Sequence, residues 1–241
     1  MTVRVAINGF GRIGRLVLRA LRETRSEDIE IVAINDLGPV ATNAHLLRYD
    51  SVHGRFPGEI ATGDTWMDIG RGKIAVSAER DPAQLPWRSL GVDVVLECTG
   101  KFTKRDTAAK HIAAGAKRVL VSAPADGADL TVVMGVNHDQ LMPAYKVVSN
   151  ASCTTNCLAP VAYVLQRGVG IERGYMTTIH AYTGDQTTID TLHHDLRRCS
   201  GVVDDRDLHR CGEGGGPRIA GARRKARRHG NPGAHRKRVA D

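Results

Sequence analysis

Residues 149–160 read Ser-Asn-Ala-Ser-Cys-Thr-Thr-Asn-Cys-Leu-Ala-Pro. A strand-like apolar run at 145–148 leads in, and a helical apolar pattern (Leu158, Val161, Ala162, Leu165) leads out. Cys153 is therefore expected at a strand-to-helix turn, at or near the start of a helix. Unpaired backbone N–H groups and the positive end of the helix dipole favour thiolate over thiol there. The thiolate is the nucleophilic form, so covalent catalysis is the chemistry this residue could carry. By spacing alone, a cysteine near a helix start is more often a small buried hydrophobe, and both readings stand open at this point.

A second chemical pattern lies at the other end. Residues 8–14, Asn-Gly-Phe-Gly-Arg-Ile-Gly, contain G-x-G-x-x-G. The strand-like run 2–7 precedes it, a helical pattern through Val17, Leu18 and Leu21 follows, and a second strand-like run, 29–34, ends in Asn35-Asp36. In that setting Gly9 permits a tight turn, Gly11 lets backbone approach a pyrophosphate, and Gly14 allows close helix–strand packing. Asp36 can hydrogen-bond ribose hydroxyls, and its charge repels a 2′-phosphate, favouring NAD over NADP. A glycine turn in a ligand-free α/β fold is the plainer alternative.

The 149–160 stretch resembles the active-site signature of the glyceraldehyde-3-phosphate dehydrogenase family, the phosphorylating glycolytic enzymes. The resemblance runs from Val3 to about Arg198, through the glycine turn, residues 43–54, 79–82, 130–137 and 174–183, and His194-Asp-Leu-Arg-Arg198. It implies that Cys153 is the nucleophile, with His180 stabilising its thiolate and acting as acid and base towards the substrate C1 oxygen. Without the resemblance, His180 reads as a half-buried strand histidine. The resemblance also implies that Arg12, Ile13, Arg80, Thr99 and Ser122 line the NAD site with Gly9, Gly11, Gly14 and Asp36. Thr183 would receive the C3 phosphate of glyceraldehyde 3-phosphate, and Ser152 and Thr154 would hold inorganic phosphate. The implied reaction has Cys153 attack the aldehyde, hydride pass to NAD, and phosphate release the thioester as 1,3-bisphosphoglycerate. The family assembles as homotetramers, and the segment 185–198 matches a loop packed beside a neighbouring subunit's cofactor.

Strands must position these residues. Runs 92–97 and 117–122 read as buried strands, 73–77 as an edge strand, 43–54 as a helix with a glycine stop, and 130–137 and 174–183 as further strands. Alternation with helical stretches predicts an α/β Rossmann fold, a doubly wound parallel sheet, over 1–150. The start of a truncated α+β catalytic domain follows over 151–198. Ligands bind beyond the carboxyl ends of parallel strands, which places Asp36, Thr99 and Ser122 on one side. Cys98 reads as structural, and Cys157, one helical turn after Cys153, as buried and unpaired with it.

Five scattered cysteines argue against a disulfide framework and suit a reducing compartment. No run of 18 apolar residues and no leader-like start point to a soluble, cytoplasmic protein without membrane partners. The net charge of +8 is local, because residues 201–241 hold 11 Lys/Arg against 5 Asp/Glu, leaving 23 against 21 before them.

Residues 199–241 are Gly/Arg-rich, lack an aromatic residue and a usable apolar period, and are expected to be disordered. Permitted codons for 199–240, read one nucleotide later, encode a likeness of the family's continuation, including its Thr-Gly turn and Arg-Val-Pro-Thr strand. The tail therefore reads as an out-of-frame translation beginning near Arg198, with activity impaired. An NAD-binding remnant with a basic, nucleic-acid-contacting arm is the alternative. The arm has no aromatic residue to stack bases, so solvated charge is favoured over nucleic acid. A zinc site from His193, His194, Cys199, His209 and Cys211 matches no familiar ligand spacing, so no metal is expected.

Overall fold

The computed structural model describes residues 2–24, 27–50 and 52–179. Elements β1 (Val3–Asn8), α1 (Arg12–Glu23), β2 (Ile29–Asn35) and α2 (Val40–Arg48) open the chain. A two-stranded ribbon, β3 (Tyr49–Asp50) and β4 (Gly54–Arg55), then leads to β5 (Ala61–Thr62), β6 (Trp66–Asp68) and β7 (Lys73–Ser77). There follow β8 (Val94–Glu97), α3 (Arg105–Ala108), α4 (Lys110–Ala113), β9 (Arg118–Val121), β10 (Leu130–Thr131), β11 (Val147–Ser149) and α5 (Cys153–Gly168).

Nine of these strands form one sheet in the order β10-β11-β9-β8-β1-β2-β7-β6-β5. The first seven in that order pair in parallel, and β6 and β5 extend the β7 side antiparallel. The chain builds outward from β1 to one side and then crosses back to β8 on the other. The order therefore reverses between β1 and β8, and parallel pairing brings all seven carboxyl ends to one edge.

Alternation along the strands covers both faces. Ile7, Ile34, Val76 and Leu96 share one register row and pack with Leu18 of α1 and Leu47 of α2. Ala6, Ala33, Ala75 and Val95 form the preceding row, point the other way, and pack with Leu85, Trp87 and Ala114. A sheet buried on both faces is what its runs of Val, Ile and Ala require. The doubly wound parallel sheet expected from the sequence is the fold observed.

Four details differ from expectation. The strand at 73–77 is interior, because the short β6 and β5, missed in the sequence, continue the sheet beyond it. The helix expected over 43–54 starts earlier and ends at Arg48, where the chain turns into the β3–β4 ribbon. Of 130–137, only β10 is strand; Asn137 instead folds back, its side chain accepting from Val133 N at 2.8 Å and donating to Thr131 O at 3.0 Å. The run 174–179 is exposed and not strand, since no described neighbour offers it a ladder. The rest of that expected strand, 180–183, and the segment 199–241 lie outside the described residues.

Gly14 fixes how α1 meets β1. A Cβ there would lie 2.4 Å from Gly9 O and 2.9 Å from Ile7 Cγ2. Propensity alone would credit Gly→Ala within a helix with about 1 kcal/mol, but this clash involves backbone and reverses the sign. Gly14→Ala is expected to destabilise the chain by about 2 kcal/mol or more in denaturant unfolding. A neutral or stabilised variant would show that α1 is free to shift.

Candidate functional site

The glycine turn at the end of β1 is tightly held. Gly9 has φ +91°, and a Cβ there would meet Thr99 N at 2.7 Å. Phe10, fully buried, donates its N–H to Asp36 Oδ2 at 2.8 Å, and Arg15 Nη1 donates to Phe10 O at 2.8 Å. Gly38 N and Asn43 Nδ2 donate to the other Asp36 oxygen at 2.9 and 3.2 Å. The acid at the tip of β2 is thus aimed by three donors at the turn that follows β1. A Cβ at Gly11 would meet nothing within 4 Å, so the N-terminus of α1 is open to a ligand.

A cleft of about 400 Å³ lies at this edge. Its lining includes Gly9, Gly11, Asp36, Arg80 and Thr99, all expected from the sequence. It also includes Leu37, Lys101 and Phe102, which were not. Those three supply two apolar walls and a cation. Their signal was available: each sits two to five residues beyond the carboxyl end of a parallel strand.

The remaining expected cofactor residues lie elsewhere in the local geometry. Arg12 pairs with Asp50 at 3.1 Å. The N–H groups of His53 and Val52, with Arg12, hold the Asp50 carboxyl down at about 2. Ile13 is exposed, Gly14 serves packing, and the Ser122 hydroxyl bonds the Cys98 thiol. Cys98 is itself part of the cleft lining, and burial pushes its thiol up to about 11.

Cys153 is the first residue of α5, reached from the carboxyl end of β11, and it is exposed. The turn before it is built by local bonds. Ala151 takes φ +58°, a left-handed conformation that costs a non-glycine residue about 1 kcal/mol. Ser152 is the N-cap, its Oγ accepting from Thr155 N at 3.0 Å. Asn156 Nδ2 donates back to Asn150 O at 2.7 Å and Ser152 O at 3.0 Å, closing the loop over the helix start. Thr154 Oγ1 lies 4.0 Å from Cys153 Sγ. Asn156 lay within the quoted motif with no role assigned to it; the structure shows it as the clamp of the turn.

Cys157 was expected to be buried and is exposed. Only Ala159 of α5 is buried, so among the described residues little packs on this helix beyond the face that meets Val133 and Ala151. His180 and Thr183 lie outside the described residues, as do all five positions weighed for zinc. No group of three or more His, Cys, Asp or Glu side chains suited to a metal occurs among the described residues, and no described helix is long and apolar enough to cross a membrane.

Comparison with known proteins agrees with this geometry. Residues 3–105 match the family domain described as glyceraldehyde 3-phosphate dehydrogenase, NAD binding domain, and residues 152–204 match its C-terminal domain. The chain is 71% identical over 198 residues to a glyceraldehyde-3-phosphate dehydrogenase of Xanthobacter flavus, covering 82% of this chain and 59% of the relative. Identity to that of Cereibacter sphaeroides is 66% over 198 residues, with the same coverage. Identity to that of Geobacillus stearothermophilus is 55% over 205 residues, 85% of this chain and 61% of the relative. The chain thus spans about three-fifths of the length of the curated relatives it matches. With a glycine turn, a cleft at the strand-order reversal and a cysteine opening the helix after β11, the chain belongs to the glyceraldehyde-3-phosphate dehydrogenase family.

Proposed function

We propose that the chain derives from an NAD-dependent, phosphorylating glyceraldehyde-3-phosphate dehydrogenase, with Cys153 as its nucleophile. The observation that carries this reading is the presence, along one sheet edge, of a cleft at the strand-order reversal and an exposed cysteine at a capped helix start. The cleft's residues fit the dinucleotide. The open N-terminus of α1 at Gly11 suits its pyrophosphate, Asp36 its ribose hydroxyls, and Leu37 and Phe102 a flat ring.

Each protein group has a task. The positive end of the α5 dipole lies where Cys153 Sγ attacks the aldehyde carbon of glyceraldehyde 3-phosphate. His180 takes and returns the proton at the C1 oxygen, and Thr183 receives the C3 phosphate. NAD, when bound, accepts the hydride. Ser152 and Thr154 orient inorganic phosphate, which attacks the resulting acyl-cysteine and leaves as the acyl phosphate, freeing the thiolate. Assembly in fours and a cytoplasmic setting belong to the same reading, with the family's shared chemistry as their support.

The cofactor preference follows from charge. A 2′-phosphate would meet the Asp36 carboxylate, so the full chain is expected to bind NAD at least about tenfold more tightly than NADP. Calorimetric titration with both decides it, and equal or tighter NADP binding would overturn the assignment.

Thiol reactivity gives a second check. With brief limiting iodoacetamide at pH 8, Cys153 is expected to label first. Cys98, raised to about 11, holds roughly 10²-fold less thiolate than an ordinary cysteine at this pH. Its labelling should rise about tenfold per pH unit until pH approaches its own pKa. Peptide mass spectrometry reads both, and Cys98 labelling at the rate of Cys153 at pH 8 would sink the distinction.

Residues 199–241 bear on turnover. Read in the present frame, their sequence lacks the family's second Thr-Gly phosphate motif and its Arg-Val-Pro-Thr stretch, so part of the substrate's positioning is lost. Orientation alone supplies roughly 7–11 kcal/mol of a barrier in favourable cases. The chain as written is expected to form little or no NADH from glyceraldehyde 3-phosphate and phosphate, whereas a frame-corrected version turns over. Comparable rates from the two purified proteins would refute the out-of-frame reading of the tail.

A further inference from the structure

The row of residues at the carboxyl edge of the sheet breaks the apolar pattern beneath it. Ser77, Asn35, Asn8 and Glu97 occupy one register row across four adjacent strands, β7, β2, β1 and β8. Their side chains are joined in series. Ser77 Oγ donates to Asn35 Oδ1 at 2.9 Å, Asn35 Nδ2 to Asn8 Oδ1 at 2.7 Å, and Asn8 Nδ2 to Glu97 Oε2 at 2.6 Å. From the other direction, Trp87 Nε1 donates to His111 Nδ1 at 2.9 Å, and His111 Nε2 lies 3.0 Å from Glu97 Oε2. An indole can only donate, so His111 Nδ1 must accept and Nε2 must carry the proton towards Glu97. Thr99 adds its N–H at 2.8 Å and its hydroxyl to Glu97 Oε1. Each link of the series thus donates in the direction of one carboxylate. Glu97, Asn8 and His111 are each at most 1% exposed.

The row and its partners supply part of the cleft lining. Asn8, Asn35, Glu79 and Thr99 are cleft residues, and Glu79 is tied to Asn35 through both its N–H and its carbonyl, each at 2.8 Å. We infer that Glu97 is a positioning residue: as the common acceptor of a directional hydrogen-bond row, it sets the four turns that shape the dinucleotide cleft. The inference rests on the dinucleotide reading of that cleft. Its chemistry is that of polarity. Glu97→Gln keeps shape but places an N–H₂ where donors converge, so at least one donor meets a donor. His111 cannot answer by switching tautomer, because its Nδ1 would then face the Trp87 N–H. Removing the indole N–H with Trp87→Phe frees that switch and lets His111 Nε2 accept from Gln, while Asn8 Nδ2 still faces the new amide, so the relief is partial.

The full chain and the variants Glu97→Gln, Trp87→Phe, Glu97→Gln/Trp87→Phe and Ser77→Ala test this by NAD titration and, ligand-free, by amide resonances. Glu97→Gln is expected to weaken NAD about tenfold or more, Trp87→Phe less than about threefold, and the double variant to bind at least about threefold more tightly than Glu97→Gln. A residue that merely fills space would show no such rescue. In the ligand-free chain, Glu97→Gln should move the Glu79 as well as the Thr99 amide, and Ser77→Ala should move the Thr99 amide across the sheet. NAD affinity unchanged in Glu97→Gln, or lost without rescue, overturns the inference while leaving the cofactor reading intact. A wild-type chain that binds no NAD overturns the cofactor reading, and the amide shifts then decide the row by themselves. Should Glu97→Gln fail to melt cooperatively, a Thr99 amide unmoved by Ser77→Ala overturns it.

Discussion

The cleft depends on a carboxylate buried where the sheet should be apolar. Taking Glu97 out of water would be costly unless its oxygens were met by donors, and Asn8, His111 and Thr99 meet them. The bonds run along a register row, so they can form only if β7, β2, β1 and β8 are paired as they are. A slip of one residue would turn these polar groups towards Leu18 and Leu47 on the other face, and Ile7 and Ile34 towards Trp87. Apolar rows below and a polar row at the rim therefore specify one register between them. Fold and site are constrained by the same pairing.

Two backbone devices at that rim complete the site. At the end of β1, Gly9 adopts a conformation open to glycine and abuts Thr99, so the turn after β1 and the turn after β8 are built against each other. At the end of β11, Ala151 bears a left-handed conformation without that exemption, held by Ala151 N donating to Ser149 Oγ at 3.1 Å and by the Asn156 clamp. The first device sets backbone into the lining of the cleft. The second delivers Cys153 to a helix start while leaving it exposed.

Much of this was legible in the residues, and the exceptions have physical causes. The runs that became β1, β2, β8 and β9 are apolar because both faces of the sheet are covered, and that signal does not depend on distant partners. The strands β5 and β6 are two and three residues long, too short to show a period, so 73–77 looked like an edge. Cys157 looked buried because Leu158, Val161 and Leu165 imply a covered helix, yet all three are among the exposed apolar residues here. Glu97 went unassigned because it ends an apolar run, where a charge reads as the strand's exit to solvent. Only the register shows that it points at Asn8 and His111. The cleft walls Leu37 and Phe102 carry no periodicity as loop residues, so their one signal was their place shortly beyond the carboxyl ends of β2 and β8.

The two cysteines at this edge show how local environment, not residue type, assigns chemistry. Cys98 follows Glu97 at the end of β8, where burial raises its pKa, Glu97 adds to the rise, and only the Ser122 hydrogen bond opposes it. Every charge-related influence except that one bond keeps the sulfur protonated. Cys153 ends the corresponding excursion from β11, but the turn 150–152 leads there into a sixteen-residue helix, so Cys153 opens the first turn and solvent reaches it. Both residues follow the carboxyl end of a parallel strand, and both would be assigned to the site by topology. What separates them is what comes next: a glycine-containing turn that closes the cleft after Cys98, and a capped helix after Cys153. The same sheet edge thus carries one buried thiol, held protonated in the cleft wall, and one exposed thiol at a helix start.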